Sequence, residues 1–210
     1  MKIALIDYRA GNLTSVKKAF AALEADLFVP TEPGELREAS AVVVPGVGHF
    51  GATEALKDRW TGAIRDAVAA GRPLLGICLG MQWLFEGSEE SPDDAGLGVL
   101  TGRCYRLAAG TNGTTVKIPH VGWNALEVRR QDSIIDGVTS GSQVYFTHSF
   151  VAPITADTVA VTEHGQPFAA IVQHGHVAGV QFHPEKSGDV GLRILRNFLT
   201  LVTDGEKGKR

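Results

Sequence analysis

One cysteine bracketed by small residues, Gly76-Ile77-Cys78-Leu79-Gly80, is the feature of this chain best suited to nucleophilic chemistry. An apolar run from Leu74 to Ile77 precedes it and reads as a buried strand, and Met81, Leu84 and Phe85 follow at helical spacing. A nucleophile held between glycines at a strand-to-helix turn sits exposed at the strand end, where the helix N-terminus favours a thiolate. A buried cysteine also packs well as a small hydrophobe, so the pentapeptide alone leaves both roles open. A catalytic thiolate needs a base, and the base needs an orienting acceptor. Of seven histidines, only His183 lies in a tight constellation, Val180-Gln181-Phe182-His183-Pro184-Glu185. On extended backbone, residues two apart share a face, so Glu185 can hold one imidazole nitrogen while the other faces Cys78. Pro184 biases His183 towards that extended geometry. Taken alone, His183 reads more readily as a strand-end histidine satisfied by an exposed glutamate. The chain order nucleophile, base, acid differs from that of the α/β-hydrolases.

The stretch VVVPGVGHFG contains a G-x-G-x-x-G at Gly46, Gly48 and Gly51. A dinucleotide fingerprint normally follows the first strand, and its acidic residue ends the second; here Pro45 crowds the turn and Asp66 falls inside a helical pattern. The better reading is a loop, Gly46-Val47-Gly48, whose backbone N–H groups join that of Leu79 in an oxyanion hole.

These residues need elements to position them. KIALIDY, DLFVP and AVVVPG read as three strands, and the Cys78 strand is a fourth. GNLTSVKKAFAALEA is a helix with Leu13, Val16, Phe20 and Leu23 in phase and Asn12 as its cap. ATEALKDRWTGAIRDAVAAG reads as one long amphipathic helix, with Leu56, Trp60, Ile64 and Val68 on its stripe and Gly71 closing it. From Gly96 to Glu185 the segments are short, β-rich and separated by turn signals, which predicts antiparallel additions to the sheet. DVGLRILRNFLTLV is a terminal helix with Leu192, Leu195, Phe198 and Leu199 inward. The expected fold class is α/β: a mostly parallel central sheet flanked by helices, with antiparallel β additions in the C-terminal half. Residues 1–203 are expected to form one domain and 204–210 a polar tail.

A length of 210 residues gives room for one large core, and 44% hydrophobic with 20% charged residues is ordinary for a globular chain. The net charge of −3 and the lack of a basic, aromatic-interleaved stripe argue against nucleic acid. No run approaches a membrane span, and Ile3 to Ile6 is too short for a signal peptide. Two cysteines, Cys78 and Cys104, make no disulfide framework, so a cytoplasmic location is expected and Cys104 reads as structural. His164, His174 and His176 lack a cysteine or carboxylate at ligand spacing, so no metal and no cofactor are expected.

The elbow GICLGMQ, the loop PGVG and the C-terminal HPE together resemble the class I (triad) glutamine amidotransferase family, in order and spacing over nearly the whole chain. IDYxxGNL, PGVGHF, FEGSEE, KIPHVGWN, YFTHSF and HPEKS resemble those members, free of an attached synthetase domain, whose cyclase partner makes imidazole glycerol phosphate and AICAR in histidine biosynthesis. The resemblance implies that L-glutamine is hydrolysed to glutamate and ammonia: Cys78 attacks the side-chain amide, His183 protonates the leaving ammonia, and Glu185 orients His183. Gln82 matches the family's substrate-binding glutamine, Glu90 the acid that meets the substrate ammonium, and the backbone of His148, Ser149 and Phe150 the carboxylate side. Its partner is a (β/α)8-barrel cyclase in a heterodimer, and Asn12, Trp123 and Lys186 match positions near that interface. Where the family commonly has glycine after IDY, this chain has Arg9. Competing readings are the glutaminase of pyridoxal phosphate synthase, a γ-glutamyl peptide hydrolase, and a silent binding subunit.

Overall fold

The structure is a computed structural model that describes residues 1–57, 59–110 and 115–207. The first half alternates strand and helix: β1 (Lys2–Leu5), α1 (Leu13–Ala21), β2 (Asp26–Phe28), β3 (Ala41–Gly46), α2 (Glu54–Lys57), α3 (Thr61–Ala69), β4 (Leu74–Cys78) and α4 (Leu79–Trp83). The second half carries β5 (Gly87–Ser88), β6 (Ser91–Ala95), β7 (Arg103–Arg106), β8 (His120–Ala125), β9 (Glu127–Val128), β10 (Gln143–His148) and β11 (Phe150–Val151). It ends with β12 (Thr158–His164), β13 (Gln166–His174), β14 (Val177–Val180) and α5 (Gly188–Lys207).

The main sheet has the order β2-β1-β3-β4-β14-β13-β12-β9. Its first five strands run parallel, and β13, β12 and β9 complete it antiparallel. This is the mixed sheet expected from the sequence, with two refinements. The segment read as one more antiparallel addition, VAGVQFHPE, begins with β14, which pairs parallel to β4 from Val177↔Leu74 to Val180↔Ile77. Other second-half strands leave the main sheet altogether: β8 pairs with β10, and β11, β7, β5 and β6 form a small sheet of their own.

Both faces of the parallel strands are apolar because both are covered. Leu5, Val43, Leu75, Ile77 and Val180 pack with Val16 and Phe20 of α1 and Leu195 and Phe198 of α5. Their alternates Ala4, Val42, Val44 and Leu74 pack with Leu56, Trp60 and Ile64, and with Met81 and Trp83 of α4. Phe20 meets Phe198 edge-on at 6.5 Å, and burying each such ring contributes about 1.5–3 kcal/mol.

The long helix expected before β4 is instead a 3-10 turn (Phe50–Thr53), α2 and α3. Residue 58 of that stretch lies outside the described residues. Trp60 keeps its inward place, and where α3 begins the Leu56 carbonyl accepts both the Trp60 N–H at 2.9 Å and the Thr61 hydroxyl at 3.0 Å. Asn12 caps α1 as expected, its side chain accepting the Ser15 N–H at 3.3 Å. Gly71 closes α3 at φ 75°. Helix α5 continues to Lys207, into the segment read as tail, because nothing in DGEK stops a helix already anchored by Phe198 and Val202; residues 208–210 lie outside the described residues.

Candidate active site

Cys78 ends β4 and begins the turn into α4, with φ 53° and ψ −109°. A side chain held there costs of order 1–3 kcal/mol and persists only where the surroundings enforce it. Two glycines make that possible. A Cβ on Gly80 would lie 1.8 Å from the Val44 carbonyl oxygen, and one on Gly76 2.6 Å from the Gly80 oxygen. Only bare backbone lets α4 fold back this closely over β3 and β4. The thiol is 5% exposed, at the carboxyl edge where parallel sheets place their ligands.

Neighbouring strands bring the other pieces to the same edge. Gly46, the last residue of β3, pairs across from Cys78, so the PGVG loop begins beside the thiol. On the other side, β14 ends opposite Ile77, and His183 follows three residues on. The His183 N–H donates to the Tyr145 carbonyl at 2.9 Å, and its own carbonyl accepts from Ser187 Oγ at 2.6 Å. Its Nδ1 lies 2.8 Å from Glu185 Oε1, both side chains only 3% exposed. Among the described residues, Nε2 of His183 and Oε2 of Glu185 are buried without a hydrogen-bond partner. Burial is the largest influence on the imidazole and lowers its pKa. The Cys78 sulfur and the Glu185 carboxylate overcome it and hold the pKa up at about 9.

A cavity of about 290 Å3 opens over Cys78 and is lined by Gly48, Leu79, Gln82, Glu90, His148, Ser149 and Phe150 among others. All the residues expected on the substrate side therefore meet in one place. Gln82 Nε2 donates to the Phe150 carbonyl at 2.9 Å and to Gln181 Oε1 at 3.1 Å, which leaves its Oε1 to meet a ligand. Glu90 Oε2 accepts the Phe50 N–H at 2.7 Å, tying the far end of the PGVGHF loop to the cavity wall. The Ser149 carbonyl accepts from the Leu107 N–H at 2.9 Å and the Phe150 carbonyl from Gln82, so both carbonyls of this turn are engaged within the protein.

Of the expected oxyanion donors, Gly48 (φ 103°) and Leu79 line the cavity. The Val47 N–H instead donates to the Ala10 carbonyl at 3.2 Å, away from the thiol. The loop before Ala10 keeps a tight turn although Arg9 stands in it, because Arg9 adopts φ 64° and its N–H is held by Asp7 Oδ1 at 2.9 Å.

Trp123, 57% exposed, meets Tyr145 edge-on at 6.1 Å, and Lys186 Nζ lies 5.7 Å from the centre of the same Tyr145 ring. Asn12 is exposed at the start of α1. Val121 (57%) and Val47 (39%) are further exposed hydrophobics. Cys104 is fully buried, its thiol 3.7 Å from the Gln82 carbonyl, and burial pushes its pKa up. The three histidines weighed as metal ligands go separate ways: His164 to the Lys117 carbonyl, His174 to Asp157, His176 to the Val68 carbonyl.

Gln181 was not singled out by the sequence, yet its Nε2 lies 3.7 Å from the Cys78 sulfur and its Oε1 receives Gln82. Two-residue periodicity back from His183 would have found it. The same periodicity within YFTHSF marks Tyr145, which takes both Trp123 and Lys186.

An elbow cysteine, a buried histidine–glutamate pair and a glycine loop thus gather at the carboxyl edge of five parallel strands. The chain belongs to the glutamine amidotransferase class-I family, whose model matches residues 4–202. It is 42% identical to imidazole glycerol phosphate synthase subunit HisH of Halalkalibacterium halodurans, over 99% of both chains. It is 45% identical to the HisH subunit of Lactiplantibacillus plantarum, over 95% of this chain and 96% of the relative. In fold it resembles a crystal structure of a glutamine amidotransferase, with TM-score 0.74, 23% identity, and coverage of 95% and 98%.

Proposed function

We propose that the chain is the glutaminase subunit of imidazole glycerol phosphate synthase, which hydrolyses L-glutamine and hands the ammonia to a (β/α)8-barrel cyclase in the cytoplasm. The observation that carries the reading is the strained Cys78 turn, set between the Gly46–Gly48 loop and the buried His183–Glu185 pair. Near identity of length and 42% identity to a HisH subunit support the specific assignment.

Glutamine enters as a zwitterion, so its cavity needs one anion and several donors. Glu90 and the Gln82 amide oxygen suit the ammonium, and the amides of Ser149 and Phe150 suit the carboxylate. The Cys78 sulfur adds to the side-chain carbonyl carbon, and the charge that develops on oxygen is met by the Leu79 N–H. His183, its pKa held near 9 and hence protonated at neutral pH, gives its proton to the departing nitrogen as the C–N bond breaks. Ammonia leaves, a thioester remains on Cys78, and the now neutral His183 takes a proton from the water that opens it. Glutamate departs and the thiolate–imidazolium pair is restored. Glu185 keeps the imidazole aligned throughout.

Ammonia released to water becomes ammonium and loses its nucleophilicity, so the step is useful only against a docked acceptor. Trp123, Lys186 and Asn12 form the docking face in this reading. The second oxyanion donor, the Val47 N–H, is held by Ala10, and docking of the liganded cyclase turns it towards the cavity. The test is glutaminase turnover with and without purified cyclase and its ligand, together with trapping by a chloroketone analogue of glutamine. Weak basal turnover, strong stimulation and a mass adduct on Cys78 are expected. Full turnover in the isolated chain overturns the loop step, and an adduct elsewhere or none overturns the assignment of the nucleophile.

A further inference from the structure

At the cavity wall two imidazoles are joined end to end, His148 lining the cavity and His120 next to it, and the thiol chemistry uses neither as acid or base. His148 Nδ1 lies 3.1 Å from the Phe150 carbonyl oxygen, His148 Nε2 lies 3.2 Å from His120 Nδ1, and His120 Nε2 lies 3.3 Å from Asn124 Nδ2. The place of every proton follows from one end. A carbonyl oxygen only accepts, so Nδ1 of His148 carries hydrogen. A neutral ring then offers its lone pair at Nε2, and Nδ1 of His120 must donate to it. That leaves a lone pair on His120 Nε2, which takes a hydrogen from the Asn124 amide. The orientation of Asn124 is fixed separately: its Oδ1 accepts the Ala125 N–H at 2.8 Å, and its Nδ2 also donates to the Glu163 carbonyl at 2.9 Å. The relay thus runs in one direction and is anchored on backbone at both ends.

We propose that His120 is a positioning residue for the α-carboxylate of the substrate: through His148 it fixes the Ser149–Phe150 turn that meets that group. The inference rests on the reading of the cavity as a glutamine site. The ring of His120 is itself immobilised, stacked on Phe146 at 4.8 Å and on His164 at 4.1 Å. Burial, aided by neighbouring histidines, lowers the pKa of His148 to about 3 and of His120 to about 4, which keeps both rings in the neutral form the relay requires. Without His120, Nε2 of His148 loses its donor, the ring is no longer held from its far side, and its grip on the Phe150 carbonyl loosens. That carbonyl then depends mainly on Gln82. The carboxylate lies at the opposite end of glutamine from the amide under attack, so the loss is one of binding rather than of the chemical step.

The test uses the chain in complex with its cyclase and cyclase ligand, with glutamine as the probe. His120→Phe is expected to raise KM for glutamine about tenfold, the factor supplied by one orienting hydrogen bond, with kcat within about threefold. His120→Asn, whose amide N–H can stand where Nδ1 stood, should restore KM. In the unmodified protein, nitrogen-15 histidine spectra at neutral pH should show His148 with hydrogen on Nδ1 alone. Hydrogen on Nε2 of His148 overturns the relay whether or not any variant folds. Unchanged KM in His120→Phe, or failure of His120→Asn to restore it, overturns the positioning role. If the unmodified complex fails to hydrolyse glutamine, the parent reading falls and this inference falls with it.

Discussion

His183 is the residue on which the chemistry turns, and its protonation is set by a contest. Burial favours the neutral ring, and the Cys78 sulfur and the Glu185 carboxylate favour the charged one; the pair wins, at about pKa 9. The protonated ring is the form that delivers a proton to the departing amide nitrogen, which leaves as ammonia. The kcat/KM profile of the cyclase complex is therefore expected to fall on the alkaline side with an apparent pKa near 9. Glu185→Gln removes an influence that raises this pKa, so the alkaline limb should move to lower pH while maximal turnover drops by about 10²-fold or more as the ring loses its alignment. A limb that stays in place would show that another group titrates there. The pairing of His183 with Glu185 was anticipated but not its backbone: only His183 is extended, and Pro184–Lys186 form a 3-10 turn that it caps, so the two side chains meet across a turn and not along a strand face. The conformation of Arg9 was not legible, since a left-handed non-glycine residue is held by a local bond to Asp7 that no residue pattern announces.

At the scale of elements, the site depends on one strand more than on any helix. Strands β1, β3 and β4 were legible because both of their faces are covered and their sequences are continuously apolar. The partner of β14 was not: VAGV looks like any short hairpin strand, and its parallel seat against β4 is set by which edge the rest of the sheet leaves open. The break between α2 and α3 was hidden for a similar reason, because the apolar stripe runs through it unchanged. The elbow has a sharper requirement. Gly80→Ala places a methyl carbon onto the Val44 carbonyl, and neither backbone can yield without separating α4 from β3. We expect a loss of about 3 kcal/mol or more in urea unfolding, with far weaker Cys78 trapping by the glutamine analogue in whatever folds. A variant of undiminished stability would mean that α4 does not need this close approach.

At the scale of the whole molecule, the proposed partner gives the exposed apolar side chains a use. Trp123 is a large aromatic side chain left more than half exposed, propped by Tyr145 and followed at two-residue spacing on β8 by the exposed Val121, an arrangement suited to an interface anchor. Trp123→Ala is expected to weaken cyclase binding by about 30-fold or more in titration calorimetry, without altering the unfolding midpoint of the isolated chain. Unchanged affinity would move the docking face elsewhere. The bond from Val47 to Ala10 then acquires a metabolic meaning. One neutral backbone hydrogen bond stabilises by only about 1 kcal/mol net, so it biases the idle loop without locking it. A cell carrying this subunit in excess would lose a slow trickle of glutamine nitrogen, and balanced expression of the two subunits would be what stops the leak.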